Sequence, residues 1–187
     1  IYDPEAILQV CLASGETLEE ARRTLITKIG ENVQIRRLAL ISSEGTVGSY
    51  THSGRIGVVV NLSIDNEDLA KDIAMHIAAT NPVVINPEDV SAELVAKESE
   101  IFAAQAAASG KPADIIEKMV NGRIKKYLDE VSLLGQSFVK DPDTSVGQLL
   151  AKHSAKVASF TRFEVGEGIE KKVDNFVEEV MAQARGA

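Results

Sequence analysis

Three histidines and one cysteine are the first side chains to weigh for chemistry: His52, His76, His153 and Cys11. No two of the histidines stand at a zinc-binding spacing such as His-Glu-x-x-His, and one cysteine cannot build a disulfide framework or a zinc cluster. A metal hydrolase using His52 and His76 finds no carboxylate spacing to support it. His76 lies on the apolar side of a helical pattern, as a core histidine with satisfied nitrogens would. His153 falls near a helix C-terminus, where it complements the helix dipole. Gly166-Glu167-Gly168 follows a strand pattern and precedes a helical one, the placement of a dinucleotide loop. The third glycine position is Lys171, however, and Glu164, Glu167 and Glu170 crowd the place of a pyrophosphate, where anion binding needs the opposite charge. Neither a nucleophile elbow nor a Walker loop is present. We therefore expect no catalytic residue, no metal ligand and no cofactor, and no bond-making enzyme.

His52 is presented differently. It sits in the polar turn Thr51-His52-Ser53-Gly54, beside Tyr50, between two β-rich runs within Gly45–Leu62. Gly54 permits the positive φ of a tight reversal, and the nearly continuous apolar run Ile56 to Val60 predicts the middle strand of a sheet. A histidine at the rim of that hairpin is exposed. On pattern alone it reads as a solvated loop residue, and Ile29-Gly30 as a plain helix C-cap.

The remaining composition limits what such a surface can meet. In 187 residues the apolar fraction is 44%, but aromatics are 4% and tryptophan is absent, so the core must be aliphatic. That length suits one domain or two small ones. A net charge of −8 argues against nucleic acid and anionic membranes and fits protein partners. No run approaches a membrane span and no secretory signal is seen. Cys11, within an apolar helical pattern, reads as a small buried residue in a reducing, cytoplasmic setting. The chain begins at Ile1, and we expect it to be a piece of a longer protein.

Taken in order, Asp3-Pro4 predicts a helix to about Ala13. The capping box Thr17 to Glu20 opens a second helix, with Leu18, Ala21, Leu25, Ile26 and Ile29 on one face and Gly30 at its end. Val33 to Ile41 reads as a strand without a partner in the first 44 residues. After the hairpin, Asp65-Asn66 caps a helix to about Thr80, with Leu69, Ile73, His76 and Ile77 sharing a face, and Asn81-Pro82 stops it. Asn86-Pro87-Glu88-Asp89 predicts another helix start. Ser91 to about Leu128 reads as two antiparallel helices joined at Ser109-Gly110-Lys111-Pro112, each with a narrow apolar stripe, and we expect a projecting coiled coil. A capping box at Ser145 to Gln148 opens a short helix, Val157 to Val165 forms a third strand beside the hairpin, and a last helix carries Val173, Phe176, Val177 and Val180. The fold class is α+β: small antiparallel sheets covered by helices.

Several stretches together resemble elongation factor Ts, the bacterial guanine-nucleotide exchange factor, in its proteobacterial form. They are Lys28-Ile29-Gly30-Glu31-Asn32-Val33, Gly48-Ser49-Tyr50-Thr51-His52, Arg55-Ile56-Gly57-Val58, Ile73-Ala74-Met75-His76-Ile77-Ala78-Ala79, Pro87-Glu88-Asp89-Val90 and Arg162-Phe163-Glu164-Val165-Gly166-Glu167-Gly168-Ile169-Glu170-Lys171. The resemblance implies two α+β core subdomains. Residues 1–44 would be a remnant of the first and 45–187 the second, with 91–128 inserted as the family's coiled-coil protrusion. It implies that Ile29, Gly30 and His52 contact the nucleotide domain of elongation factor Tu and that Val139 reaches another domain of Tu. By the same resemblance the chain promotes GDP release by binding nucleotide-free Tu. The family's amino-terminal helical module and its Thr-Asp-Phe-Val motif have no counterpart in these residues, which implies weak stand-alone exchange. The alternative is a structural module that self-associates, since some members dimerise through the second subdomain.

Overall fold

Val47–His52 (β1) and Ile56–Leu62 (β2) form the expected antiparallel hairpin, with Val47 opposite Asn61 and His52 opposite Ile56. The computed structural model describes residues 4–108 and 110–169. Ser53 and Gly54 close the hairpin at φ 50° and 66°. Two consecutive left-handed residues make the turn type whose twist matches the strands it joins. Further on, Ser137–Phe138 (β3) and Asp141–Ser145 (β4) make a small ribbon, and Val157–Glu164 (β5) pairs antiparallel with β2. The sheet order is β1-β2-β5, so β2 is central, as its apolar run predicts.

The helices are Pro4–Ile7 (α1), Leu18–Ile29 (α2), Glu67–Thr80 (α3), Ala92–Ala107 (α4), Ala113–Val131 (α5) and Val146–Lys152 (α6). Helix α3 is the one that makes the core. Asn66 caps it by accepting from the Leu69 amide at 3.0 Å, and Asn81, left-handed at φ 49°, ends it. Its face of Leu69, Ile73, His76 and Ile77 is buried, and Val58, Val60 and Leu62 of β2 meet it from the sheet. Leu133, Val146, Leu150 and Val157 complete the cluster, and Phe138 is the one buried phenyl ring among the described residues. The aliphatic core that the composition requires is thus a single helix-on-sheet layer. Gly48 allows it: a Cβ there would lie 2.4 Å from the Cβ of Ala70.

Helices α4 and α5 pack on each other. Arg123 donates to Gln105 Oε1 at 2.7 Å, and its guanidinium lies 5.7 Å from the centre of the Phe102 ring. The chain entering α4 and the chain leaving α5 are joined at one place. The Val83 amide donates to the Val131 carbonyl, Leu133 donates to Val84, Leu134 donates to Ile85, and Val84 bridges Ser132 in parallel. This mixture of helices with small antiparallel sheets is the α+β class.

Four expectations need correction. Helix α1 stops at Ile7 instead of reaching Ala13, because Leu12 donates to Glu16 and Gly15, at φ 88°, turns the chain back into a Cys11–Thr17 bridge. One helical turn costs more in ordering than it gains unless an apolar face packs, and here Val10 and Leu12 stay exposed. Cys11 is therefore exposed, not a core residue. Val33 to Ile41 makes no ladder in the described residues, since an unpaired strand has nowhere to place its backbone bonds. Asn86 to Asp89 makes only a 3-10 turn, Pro87–Asp89, before Ser91 caps α4. The expected last helix lies outside the described residues.

Substituting Gly48→Ala should lower stability by about 1–3 kcal/mol, the range for overpacking a filled contact. Gly57→Ala, where an added Cβ meets nothing within 4 Å, should change it far less. Urea unfolding midpoints of the two variants check the contrast.

Candidate functional site

Helix α2 carries Ile29 and Gly30 at its end. Thr17 caps it reciprocally with Glu20, the Glu20 amide donating to Thr17 Oγ1 at 3.2 Å and the Thr17 amide to Glu20 Oε2 at 2.7 Å. Gly30 ends it at φ 75°, donating to the Ile26 carbonyl. No residue of α2 is fully buried, and Ile29 is 48% exposed. Of the apolar face predicted for this helix, Leu18, Ala21 and Ile26 are half-buried, while Leu25 and Ile29 are exposed. Glu19 takes both Arg22 and Arg23, whose hydrogen bonds hold its carboxyl at a pKa of about 2. Directly after Gly30, residues 31–37 line one wall of a groove of about 740 Å³. Thr51 and the stretch from Gly54 to Gly57 line another. The groove thus lies between the chain that leaves Gly30 and the turn that carries His52.

His52 is exposed, as the hairpin pattern requires. Its Nδ1 lies 3.2 Å from Tyr50 Oη, and the two rings stand 6.2 Å apart. Tyr50 packs against the core, so the imidazole is steadied from the sheet side.

Val139 is 40% exposed in the β3–β4 turn, which rests on a buried polar knot. The Val139 amide donates to His76 Nδ1 at 3.3 Å. That makes Nδ1 an acceptor and places the ring proton on Nε2, which donates to Gln136 Oε1 at 2.9 Å. Thr80 Oγ1 donates to the same oxygen at 2.8 Å, and Gln136 Nε2 donates to the Glu130 carbonyl at 2.7 Å. The Phe138 ring lies 5.8 Å from the imidazole, and Lys140 pairs with Asp72 of α3 at 2.6 Å. His76 is fully buried, and burial pushes its pKa below 6.5, so it stays neutral. Helix α3 follows β2 and packs on β1 and β2.

His76 is the satisfied core histidine that its position on the helix predicts, and both its nitrogens are engaged within the fold. His52 and His76 do not come together as a metal pair. His153 caps α6, as expected. Glu167, in the glycine-flanked loop, is paired with Arg37 at 2.6 Å. Among the described residues no group of three or more His, Cys, Asp or Glu is placed to hold a metal ion. Sequence reasoning missed Gln136, Thr80 and the small β3–β4 ribbon. Their partners lie 56 to 63 positions away in the chain, beyond the reach of local spacing.

The family model described as Elongation factor TS matches residues 1–167. The chain belongs to the elongation factor Ts family. Among its relatives, Elongation factor Ts of Legionella pneumophila (strain Lens) is 58% identical over 181 residues, covering 97% of this chain and 62% of the relative. That of Thioalkalivibrio sulfidiphilus is 61% identical over 175 residues, covering 92% and 60%. That of Coxiella burnetii is 57% identical over 173 residues, covering 92% and 58%. The chain spans about three fifths of the length of these curated relatives of the elongation factor Ts family.

The knot gives the fold of this family member a pH dependence with a definite sign. His76 is neutral when folded and has a lower pKa there than when unfolded. Below pH 6.5 the unfolded chain binds a proton that the folded chain resists, so stability falls as the pH drops from 6.5 toward the folded pKa. The slope this histidine contributes cannot exceed about 1.4 kcal/mol per pH unit. Urea midpoints between pH 7.5 and 5 should show that loss in the wild type and a shallower dependence in His76→Gln.

Proposed function

We propose that this chain is the part of a guanine-nucleotide exchange factor that grips elongation factor Tu during translation elongation and speeds release of GDP. The observation that carries the reading is the mounting of His52 and Val139. Both are exposed at turns, and both turns are fastened to the core, one through Tyr50 and the other through His76. Side chains held in place before contact lose less freedom on binding, which suits anchors that must act on a partner's shape. The membership of the chain in the elongation factor Ts family supports the same partner.

In this reading Ile29, Gly30 and His52 bear on the nucleotide domain of Tu, and Val139 on another of its domains. The chain binds empty Tu more tightly than nucleotide-bound Tu. By linkage it weakens nucleotide binding by the same factor. GDP owes much of its affinity to backbone donors, a lysine and Mg²⁺ around its phosphates, so a small shift of the elements that support them releases it. GTP then rebinds and displaces the factor, and no covalent bond is made or broken. Residues 1–44 act as the remnant of a first subdomain and 45–187 as the second. The α4–α5 pair acts as a coiled-coil protrusion, and the setting is the cytoplasm. The net charge of −8 supports a protein partner in preference to nucleic acid.

The test is release of labelled GDP from elongation factor Tu, with this chain and with a form extended to the length of its relatives. His52→Ala and Val139→Ala should each slow stimulated release about tenfold at limiting factor, the effect of losing one central anchor. Wild-type rates in both variants would remove these residues from the contact. Light scattering on the isolated chain reads the alternative, a self-associating module that leaves GDP release unchanged.

A further inference from the structure

Residues 31–37 join α2 to the sheet without entering a ladder, and arginines pin both ends of this run. At the near end Arg22 of α2 donates through Nη1 to the Val33 carbonyl at 2.8 Å, while the Glu19 carboxylate holds its Nε and Nη2 at 2.7 and 2.9 Å. At the far end the Arg37 guanidinium lies 4.6 Å from the centre of the Phe163 ring and donates to Glu167 Oε2 at 2.6 Å. Arg36 adds a bond to the Glu167 carbonyl at 2.7 Å.

The far pin is fastened to the hairpin. Phe163 stands opposite Gly57 in the sheet, Glu164 stands opposite Ile56, and the Val165 amide donates to the Arg55 carbonyl at 2.9 Å. The Arg37 hydrogen bond also holds the Glu167 carboxyl below the usual carboxylate range, so the pair stays ionised. Helix α2 itself buries no residue, and Arg22 ties it to the Val33 carbonyl at the start of this run. Three contacts 130 or so positions apart in sequence therefore tie the chain that leaves Ile29-Gly30 to the strands that carry His52.

Resting on the exchange reading, we propose that Arg37 is a positioning residue, closing a strap of residues 31–37 that sets the separation between the Ile29-Gly30 contact and the His52 contact. A partner surface that must meet both at once is met only when that separation is right. The strap acts through geometry, since Arg37 itself need not touch the partner.

The experiment uses the full-length protein with Cys11→Ser and spin labels at Lys28→Cys and Ser49→Cys, both exposed positions. Distance distributions are recorded on the free protein, and release of labelled GDP from elongation factor Tu is recorded on the unlabelled variants. Arg37→Ala and Glu167→Gln should broaden the distribution. Arg37→Ala should lower stimulated release about fivefold, as loss of a surface cation–π contact with its ion pair allows. Arg37→Lys, which keeps the charge, should recover most of that loss. In a His52→Ala background the Arg37→Ala effect should shrink to less than about twofold, because one of the two contacts it aligns is gone. Both pinned side chains are 41% exposed, so the variants should fold, and circular dichroism checks this. An unchanged distribution, release within about twofold of wild type in Arg37→Ala, or an undiminished loss beside His52→Ala would each overturn the proposal. If the wild-type protein fails to release GDP, the exchange reading falls and takes the role of Arg37 with it. That outcome is distinguishable, because it appears before any variant is compared.

Discussion

A side chain at position 48 would collide with Ala70, and that near contact governs how the rest of the molecule is arranged. With glycine there, α3 lies close enough to β1 and β2 for Val58, Val60 and Leu62 to fill the space beneath Leu69, Ile73 and Ile77. The core has no tryptophan and one buried phenyl ring among the described residues, so it gains its stability from many small aliphatic contacts at short range. Such a core cannot tolerate a gap of even a methyl group between helix and sheet. The position of α3 is in turn what brings His76 under the β3–β4 turn.

The buried knot around His76 joins three stretches that local sequence does not connect. Thr80 and His76 come from α3, Gln136 follows α5, and Val139 lies in the ribbon. Each polar group meets a complementary one, so burial costs little beyond what the bonds return. Hydrogen bonds also carry direction, which aliphatic packing lacks. The knot therefore fixes the orientation of the β3–β4 turn as well as its place. A hydrophobic plug of similar volume would leave the turn free to rotate.

Much of this was legible in the residues. The capping boxes at Thr17 and Ser145, the Asn66 cap, the β-rich composition of β1 and the apolar run of β2 all rest on interactions within a few positions. The residues carrying the family likeness also lie in short continuous stretches. What was not legible depends on distant partners. Cys11 looked buried because its neighbours are apolar, but four helical residues could not hold a longer helix together without a surface to pack on. Val33 to Ile41 has a strand's composition, yet a strand exists only with a neighbour. The β3–β4 ribbon escaped notice because Asp141-Pro142-Asp143 reads as a loop, while Phe138 beside it is buried in the core. His52 and Val139 were named from family likeness; what holds each in place came from the fold.

The segment that holds α4 and α5 begins beside Val84 and ends beside Ser132, where the two chain segments are stitched together. An excursion with adjoining ends is modular. Whole turns could be removed from both helices in step, or the pair exchanged for a tight reversal, and the body would keep its ladder and its packing. A segment whose two ends adjoin can change length without moving the strands that flank it.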